Sequence, residues 1–386
     1  MKYLPLVLSS LSRKKLRTLF TLLSIFIAFL LFGYLAAIKA AFTSGVEVAG
    51  VDRLIMTDKI TIINLLPYAY KNRILATEGV DAAVQSTWFG GYYQQPRNTF
   101  AQFPVVAEEY LEIYPEIVLP DEQRRAWLED RGSAIIGRAL ATRFGWQVGD
   151  RVPILSPLWR NKDGKNTWEF DIAGIFDAGK EGFDTSGMLF HHEFFRQGRA
   201  FGEGLVGWYI IRVTDPDQSE DVARRLDGQF ANSSNETRTV PEKAFMQGFL
   251  NQIGNIGAIF SAIIGVVVFT LLLITGNTVA QSVRERTSEL AVMSILGFSR
   301  LRLLSLVFIE SFFLAIVGGG LGLLVAQLLV ESGGDPTNGF LPAFFIPGEA
   351  LWAGVFLVLG VGLISGAFPA SRALRMQHVD ALRRVA

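Results

Sequence analysis

The sequence predicts an α-helical membrane protein with four transmembrane helices and a large extracytoplasmic mixed α/β domain inserted between helices 1 and 2. Three observations carry this. Four apolar runs reach the ~20 residues that a helix needs to cross the hydrocarbon core. Between the first two runs, residues 41–252 mix strand-like alternation with helical spacing. The lysines and arginines of the short connecting segments all fall on one side of the four-run arrangement. Composition agrees: 50% of the 386 residues are hydrophobic, although 36 are basic and 36 acidic. Mean hydropathy is +0.32, as expected of spans joined to a sizeable soluble domain. The chain has no cysteine, which excludes disulfides, thiolate metal sites and cysteine nucleophiles. A net charge of zero gives no whole-chain signal for nucleic acid.

Residues 1–17 place Leu4, Val7, Leu8 and Leu11 on one helical face ahead of Arg13, Lys14, Lys15 and Arg17, the pattern of an interfacial amphipathic helix. Transmembrane helix 1 follows at 18–40. Ala36, Ala37, Ala40 and Ala41 imitate a signal-peptide cleavage region, but the apolar run exceeds the roughly 7–15 residues of a signal core and Lys39 interrupts it, so an uncleaved anchor is expected. Lys2, Arg13, Lys14, Lys15 and Arg17, then Arg284, Arg286, Arg300 and Arg302, then Arg372, Arg375, Arg383 and Arg384 fall on one face, while the loop at 331–349 has acids and no Lys or Arg. The positive-inside bias makes that face cytoplasmic, with both termini on it and the inserted domain outside.

Within the insert, strands are expected at Asp52–Met56, Asp81–Phe89, Phe103–Ala107, Ser133–Gly137, Gly149–Leu155, Trp168–Phe176, Trp208–Val213 and Thr237–Val240. Helices are expected at Leu66–Glu78, Glu108–Ile117, Arg138–Gly145 (closed by its glycine) and Glu220–Phe230. A β-richer stretch at about 115–205 reads as an inner subdomain interrupting an outer one. Nothing here looks catalytic. His191, His192 and Glu193 lie together with Asp184 near, but H-E-x-x-H would need a second histidine where Arg196 stands, so a structural or surface role is expected. Trp88, Phe89, Tyr92 and Tyr93 read as core packing ahead of a ligand surface.

Helices 2, 3 and 4 are expected at 253–276, 303–330 and 350–370, with a loop at 331–349 and a tail at 371–386. The stretch 277–302 is a cluster of mixed charge bordered on both sides by membrane-length segments. In it Arg284, Glu285, Arg286 and Glu289 precede Leu290, Met293 and Leu296 at helical spacing, and Gly297 stops the pattern. It reads either as a short amphipathic helix presented to a soluble partner or as a solvated turn whose arginines fix topology. Glu310 lies about 12 Å along helix 3 from Arg302, from the ~1.5 Å rise per residue. At that depth it is either functional or a protonated group hydrogen-bonded to a neighbouring span. Gly318 and Gly322 in helix 3, and Gly362 and Gly366 in helix 4, form small-x-x-x-small faces suited to a tight bundle or to oligomerisation.

These residues carry a resemblance. The chain resembles the FtsX-like permease family, and within it the MacB-type permeases of ATP-binding-cassette (ABC) systems, over nearly its whole length. Val283–Gly297 is similar to the family's R-x-x-E-[IL]-x-x-x-x-x-[LM]-G stretch through Arg286, Glu289, Leu290, Leu296 and Gly297. Glu310 stands where the family often has a glutamate ahead of a glycine-rich run. Phe368-Pro369-Ala370 with Arg372, Ala373 and Val379-Asp380-Ala381-Leu382-Arg383 resembles the closing P-A-x-x-A…P-x-x-A-L-R, with Val379 in place of the usual proline. Ser133–Asp150 is similar to the extracytoplasmic segment before a G-D-x-[VI] strand.

The resemblance implies a MacB-type periplasmic core of two subdomains and a non-enzymatic permease of the bacterial inner membrane. It also implies a separate dimeric ATPase subunit that binds ATP and Mg, with no cofactor in this chain, and a second permease copy as homodimer or related heterodimer. Arg284–Gly297 would be the coupling helix, and ATP-driven motion would pass through the bundle to the periplasmic domain. Export of a periplasmic substrate, through an adaptor and an outer-membrane channel, is the expected outcome. Control of a cell-wall hydrolase and release of lipoproteins are the alternatives.

Overall fold

The computed structural model describes residues 15–253, 256–285, 292–293, 298–332 and 344–374. They form two compact units, one made of the apolar helices and one of the inserted domain.

In chain order the elements begin with α1 (Lys15–Val48), β1 (Arg53–Asp58), β2 (Leu66–Pro67), α2 (Tyr70–Leu75), β3 (Val80–Ser86), β4 (Gln102–Val105), α3 (Ala107–Ile113) and β5 (Ile117–Val118). There follow α4 (Asp121–Glu129), β6 (Ser133–Gly137), α5 (Arg138–Phe144), β7 (Arg151–Leu155), β8 (Thr167–Ala178), β9 (Met188–His191) and α6 (His192–Gly198). The rest are β10 (Leu205–Val206), β11 (Trp208–Val213), α7 (Ser219–Phe230), β12 (Thr237–Pro241), α8 (Glu242–Ile253), α9 (Ile256–Glu285), α10 (Arg300–Glu331) and α11 (Gly348–Leu374).

Among the described residues four helices are long and apolar enough to cross a membrane, over Lys15–Thr43, Gly257–Glu285, Leu304–Glu331 and Gly348–Ala367. Their shared core takes Ile25 and Phe29 from α1, Leu271 from α9, Leu314 and Leu323 from α10, and Val358 from α11. The inserted α/β domain lies between the first and second of these helices in the chain.

That domain has two main sheets. The first has order β12-β1-β11-β3, and every neighbouring pair is antiparallel. β1 is buried at all six positions, because both faces of this sheet are covered. Leu54, Met56, Tyr209 and Ile211 pack against Tyr70 and Ile74 of α2 and Val222, Leu226 and Phe230 of α7. From the opposite face Ile55, Val84 and Ile210 join a core with Trp127, Ile135, Phe176 and Leu189. The second sheet is mixed, with order β4-β9-β6-β8-β5 and β7 beside β8. Its other side carries an aromatic core in which Phe89 meets Trp168, Phe170, Phe190 and Phe195 edge-on.

Sequence and structure part company in several places, β9 and α6 among them, which have no counterpart among the expected elements. The expected helix over 66–78 is reduced to α2, because Pro67 cannot donate in a helix interior and disfavours helical geometry at Leu66. Both residues instead pair with β10. Helix α4 has no counterpart among the expected elements; its fully buried anchor is Trp127, with Leu128 partly buried against the same core. By contrast α5 closes on Gly145 at φ 70°, the left-handed cap its sequence called for. Gly137, where β6 hands over to α5, has no room for a side chain because a Cβ would collide with the Thr185 backbone.

Candidate functional site

In the apolar-helix unit, the stretch expected to meet a partner begins in the last turn of α9, which holds Arg284 and Glu285. Glu285 Oε2 accepts a hydrogen bond from Arg17 Nη1 of α1 at 2.8 Å, with both side chains about a quarter exposed (24% and 30%). Met293 is half-buried against Val279, Val283 and Val307. Arg286, Glu289, Leu290, Leu296 and Gly297 lie outside the described residues.

Glu310 is only 5% exposed, and its Oε1 accepts a 2.7 Å hydrogen bond from Ser282 Oγ of α9, so it bridges α9 and α10. The four glycines sit at close approaches inside this unit. A Cβ on Gly318 would come 2.9 Å from Ile25 Cβ, and one on Gly322 would come 2.5 Å from the Phe26 carbonyl oxygen, so both face α1. Gly362 and Gly366 face α10, where a Cβ would meet Phe312 at 2.9 Å and Ser311 Oγ at 2.5 Å.

The inserted domain contains a constellation that sequence reasoning missed. Arg53, the first residue of β1, is 3% exposed. Its Nε donates to Glu242 Oε2 at 2.7 Å, and its Nη1 and Nη2 donate to Glu116 Oε2 and Oε1, both at 3.0 Å. Nη1 also reaches the Ile113 carbonyl at 3.1 Å. Glu242, the first residue of α8, takes two further bonds, from Gly50 N at 2.8 Å and from Tyr114 OH at 2.7 Å. The guanidinium lies 4.4 Å over the Tyr114 ring. Every polar atom of the cluster is therefore engaged, which a buried charge requires. Burial works against the Arg53 charge, but the bond to Glu116 and the field of Glu242 outweigh it and hold the group above its ordinary value. Burial, reinforced by Glu242, pushes the Tyr114 phenol well up. The partners lie 63 and 189 residues from Arg53 in sequence; the one local signal is an arginine directly before the apolar run Leu54–Met56.

A cleft of about 180 Å³ opens beside this cluster. Phe103, Tyr110, Phe176, Phe183, Leu189 and Met246 supply its apolar wall, Arg53 and Glu242 line it, and Asp184 contributes the further charged group.

The adjacent histidines do not converge. His191 bonds through Nε2 to the Trp127 carbonyl at 2.7 Å, while His192 stacks on Tyr68 with ring centroids 5.6 Å apart. Burial, then the nearby Arg199 charge, pulls His192 down to about 4. No group of three His, Asp or Glu residues fit to hold a metal occurs among the described residues. Phe89 is core and Tyr93 packs on Trp146, while Trp88 is 44% exposed.

Residues 261–378 match the family model described as FtsX-like permease C-terminal. The uncharacterized ABC transporter permease YknZ of Bacillus subtilis is 27% identical over 223 residues, 55% of this chain and 54% of that protein, so the chain spans about half the length of this relative. The uncharacterized ABC transporter permease MJ1507 of Methanocaldococcus jannaschii is 23% identical over 356 residues, 85% of this chain and 84% of its own. The macrolide export ATP-binding/permease protein MacB of Agrobacterium fabrum is 26% identical over 198 residues, 48% of this chain and 29% of its own. Among solved structures, the periplasmic region of MacB from Actinobacillus actinomycetemcomitans aligns over 53% of this chain and 94% of its own at 8% identity and a TM-score of 0.37.

Proposed function

Because residues 261–378 match the family model described as FtsX-like permease C-terminal, we propose that this chain is the permease subunit of an ABC transporter and works by mechanotransmission. That domain match is the observation that carries the reading, and relatives named as ABC transporter permeases accompany it. A separate dimeric ATPase binds ATP and Mg and docks on the stretch from Arg284 to Gly297. Its closure moves the ends of the spans, and the bundle passes the motion to the inserted domain. What supports transmission over a route through the bundle is its dryness: Glu310 is the one buried charged side chain of the four apolar helices among the described residues.

The basic bias of the short segments supports a bacterial inner-membrane location with cytoplasmic termini. Permeases of this design act in pairs, so a second copy or a related chain completes the membrane part. Export of a periplasmic substrate is the favoured direction, supported by the relative named for macrolide export. An adaptor and an outer-membrane channel would then be further partners.

The test is co-purification with an ATP-binding subunit and the ATPase rate of that complex, for wild type and for Arg286→Glu combined with Glu289→Arg. Reversing charges at a desolvated docking helix costs about 2–5 kcal/mol, so the variant should lose the subunit or its coupled ATPase activity. A chain that never retains an ATPase overturns the reading, and a reversed variant that couples normally overturns the docking role of Arg286 and Glu289, leaving these charges to set topology.

A further inference from the structure

The geometry points to the cleft of the inserted domain as a binding site for a small hydrophobic cation, an aromatic or aliphatic ammonium compound. At about 180 Å³ the cleft admits a single-ring ligand, and its wall is mainly apolar and aromatic, from Phe103, Tyr110, Phe183 and Phe176. Such rings attract a cation through their faces.

Charge points the same way. Among the described residues the only basic group lining the cleft is Arg53, and it is already consumed by Glu116 and Glu242. Asp184, which also lines the cleft, takes both of its Oδ1 bonds from Ser186, at 2.7 Å from the amide and 2.6 Å from the hydroxyl. No Lys or Arg pairs with it among the described residues. Glu242 and Asp184 thus line the cleft, with Glu116 behind it on Arg53, so that among the described residues three carboxyl groups stand near one guanidinium; burial raises the Asp184 carboxyl, and its two bonds from Ser186 oppose that shift and favour the charged form. Tyr110 in the wall reports the same field. Burial first, and then Glu242 against the opposing Arg53, with Glu116 and Asp184 behind, raise its phenol above the ordinary value. A neutral apolar molecule would use the rings and gain nothing from this charge, and an anion would be repelled by it.

The position of the cleft gives binding a consequence. Its lining runs from Val48 and Ala49, just before β1, to Glu242 and Met246 of α8. It therefore touches both chain segments that join the insert to apolar helices in the sequence, beside the Arg53–Glu242 pair that fastens them. The binding step needs no ATPase, so it stands or falls separately from the transporter reading.

The full chain in lipid nanodiscs is titrated calorimetrically with benzyltrimethylammonium, benzenesulfonate and benzyl alcohol, with empty nanodiscs subtracted for partition into lipid. The cation should bind measurably tighter than the other two. Asp184→Asn should weaken it about fivefold or more while leaving benzyl alcohol unchanged, and Phe183→Ala should weaken cation and alcohol alike. Equal binding of cation and anion by the wild type overturns the inference without recourse to any variant. So does an unchanged cation affinity in an Asp184→Asn protein whose unfolding temperature matches wild type.

Discussion

The two units are held together by different physics. In the apolar-helix unit, contact is made by removing side chains: Gly318 and Gly322 let α1 approach α10, and Gly362 and Gly366 let α10 approach α11. Polar links between these helices among the described residues include Ser282–Glu310 and Ser311 to the Gly362 carbonyl inside, and Arg17–Glu285 at the surface. The inserted domain does the reverse. It fills its interior with large rings around Phe89 and then buries a complete ion cluster at Arg53. The contrast follows from the solvent. Lipid tails offer apolar helices no hydrophobic drive to associate, so close packing must supply it. A domain in water gains by burying large apolar groups, and the charge it buries at Arg53 has all its bonds made.

The sharpest way to break that contrast is at Arg53. Arg53→Met strands Glu116 and Glu242 as buried carboxylates and should destabilise the inserted domain by about 3–5 kcal/mol. Six of the seven tryptophans lie in that domain, from Trp88 to Trp208, so denaturant unfolding followed by tryptophan fluorescence reads it directly. Retained stability would mean that the cluster is not the domain's fastening.

Next in size is a pH effect confined to the inserted domain. Folding lowers the His192 pKa from 6.5 to about 4, so the folded state resists protonation. The associated stability is fully present above pH 6.5 and is lost as pH falls from there towards 4. It amounts to about 3 kcal/mol at most, at about 1.4 kcal/mol per pKa unit. His192→Phe, which keeps the stack on Tyr68, should flatten the acid limb of the unfolding curve; an unchanged slope would assign that limb to other groups.

In the apolar-helix unit, Gly322→Ala forces a methyl against the Phe26 carbonyl and should cost about 1–3 kcal/mol. The same change at Gly320, whose Cβ meets nothing within 4 Å, should be neutral. The comparison is read as thermostability in detergent. Smallest is Arg17→Gln. An ion pair this exposed contributes about 0–1 kcal/mol and fades with salt, so a large loss of bundle stability would show that shape alone does not hold these helices.

Much of the fold was legible because it is local. The apolar helices announce themselves by length, β6 and β11 by β-branched runs, and the end of α5 by Gly145. Pro67 is a legible signal too, since its missing N–H argues against a helix interior in competition with the helical spacing around it. The small-residue faces were visible as faces, but which helix each meets is a pairing question that no window of sequence answers. The same holds for Arg53, whose partners are 63 and 189 residues away. Periodicity reports which way a side chain points, not what lies opposite. For that reason the cleft beside Arg53 had no counterpart in the sequence reading, whereas the stretch around Arg284, with its charges contiguous, did.

The bond from Gly50 N to Glu242 Oε2, together with Arg53 on the same carboxylate, joins the beginning of the inserted segment to its end. A segment whose two ends meet is a closed cassette. Its length and surface can change, or another cassette can take its place, without altering where the chain leaves and rejoins its host, since closing the ends costs only slowly more entropy as the loop between them grows. The lineage of such a protein is then free to exchange what the cassette recognises while keeping the helices that carry it.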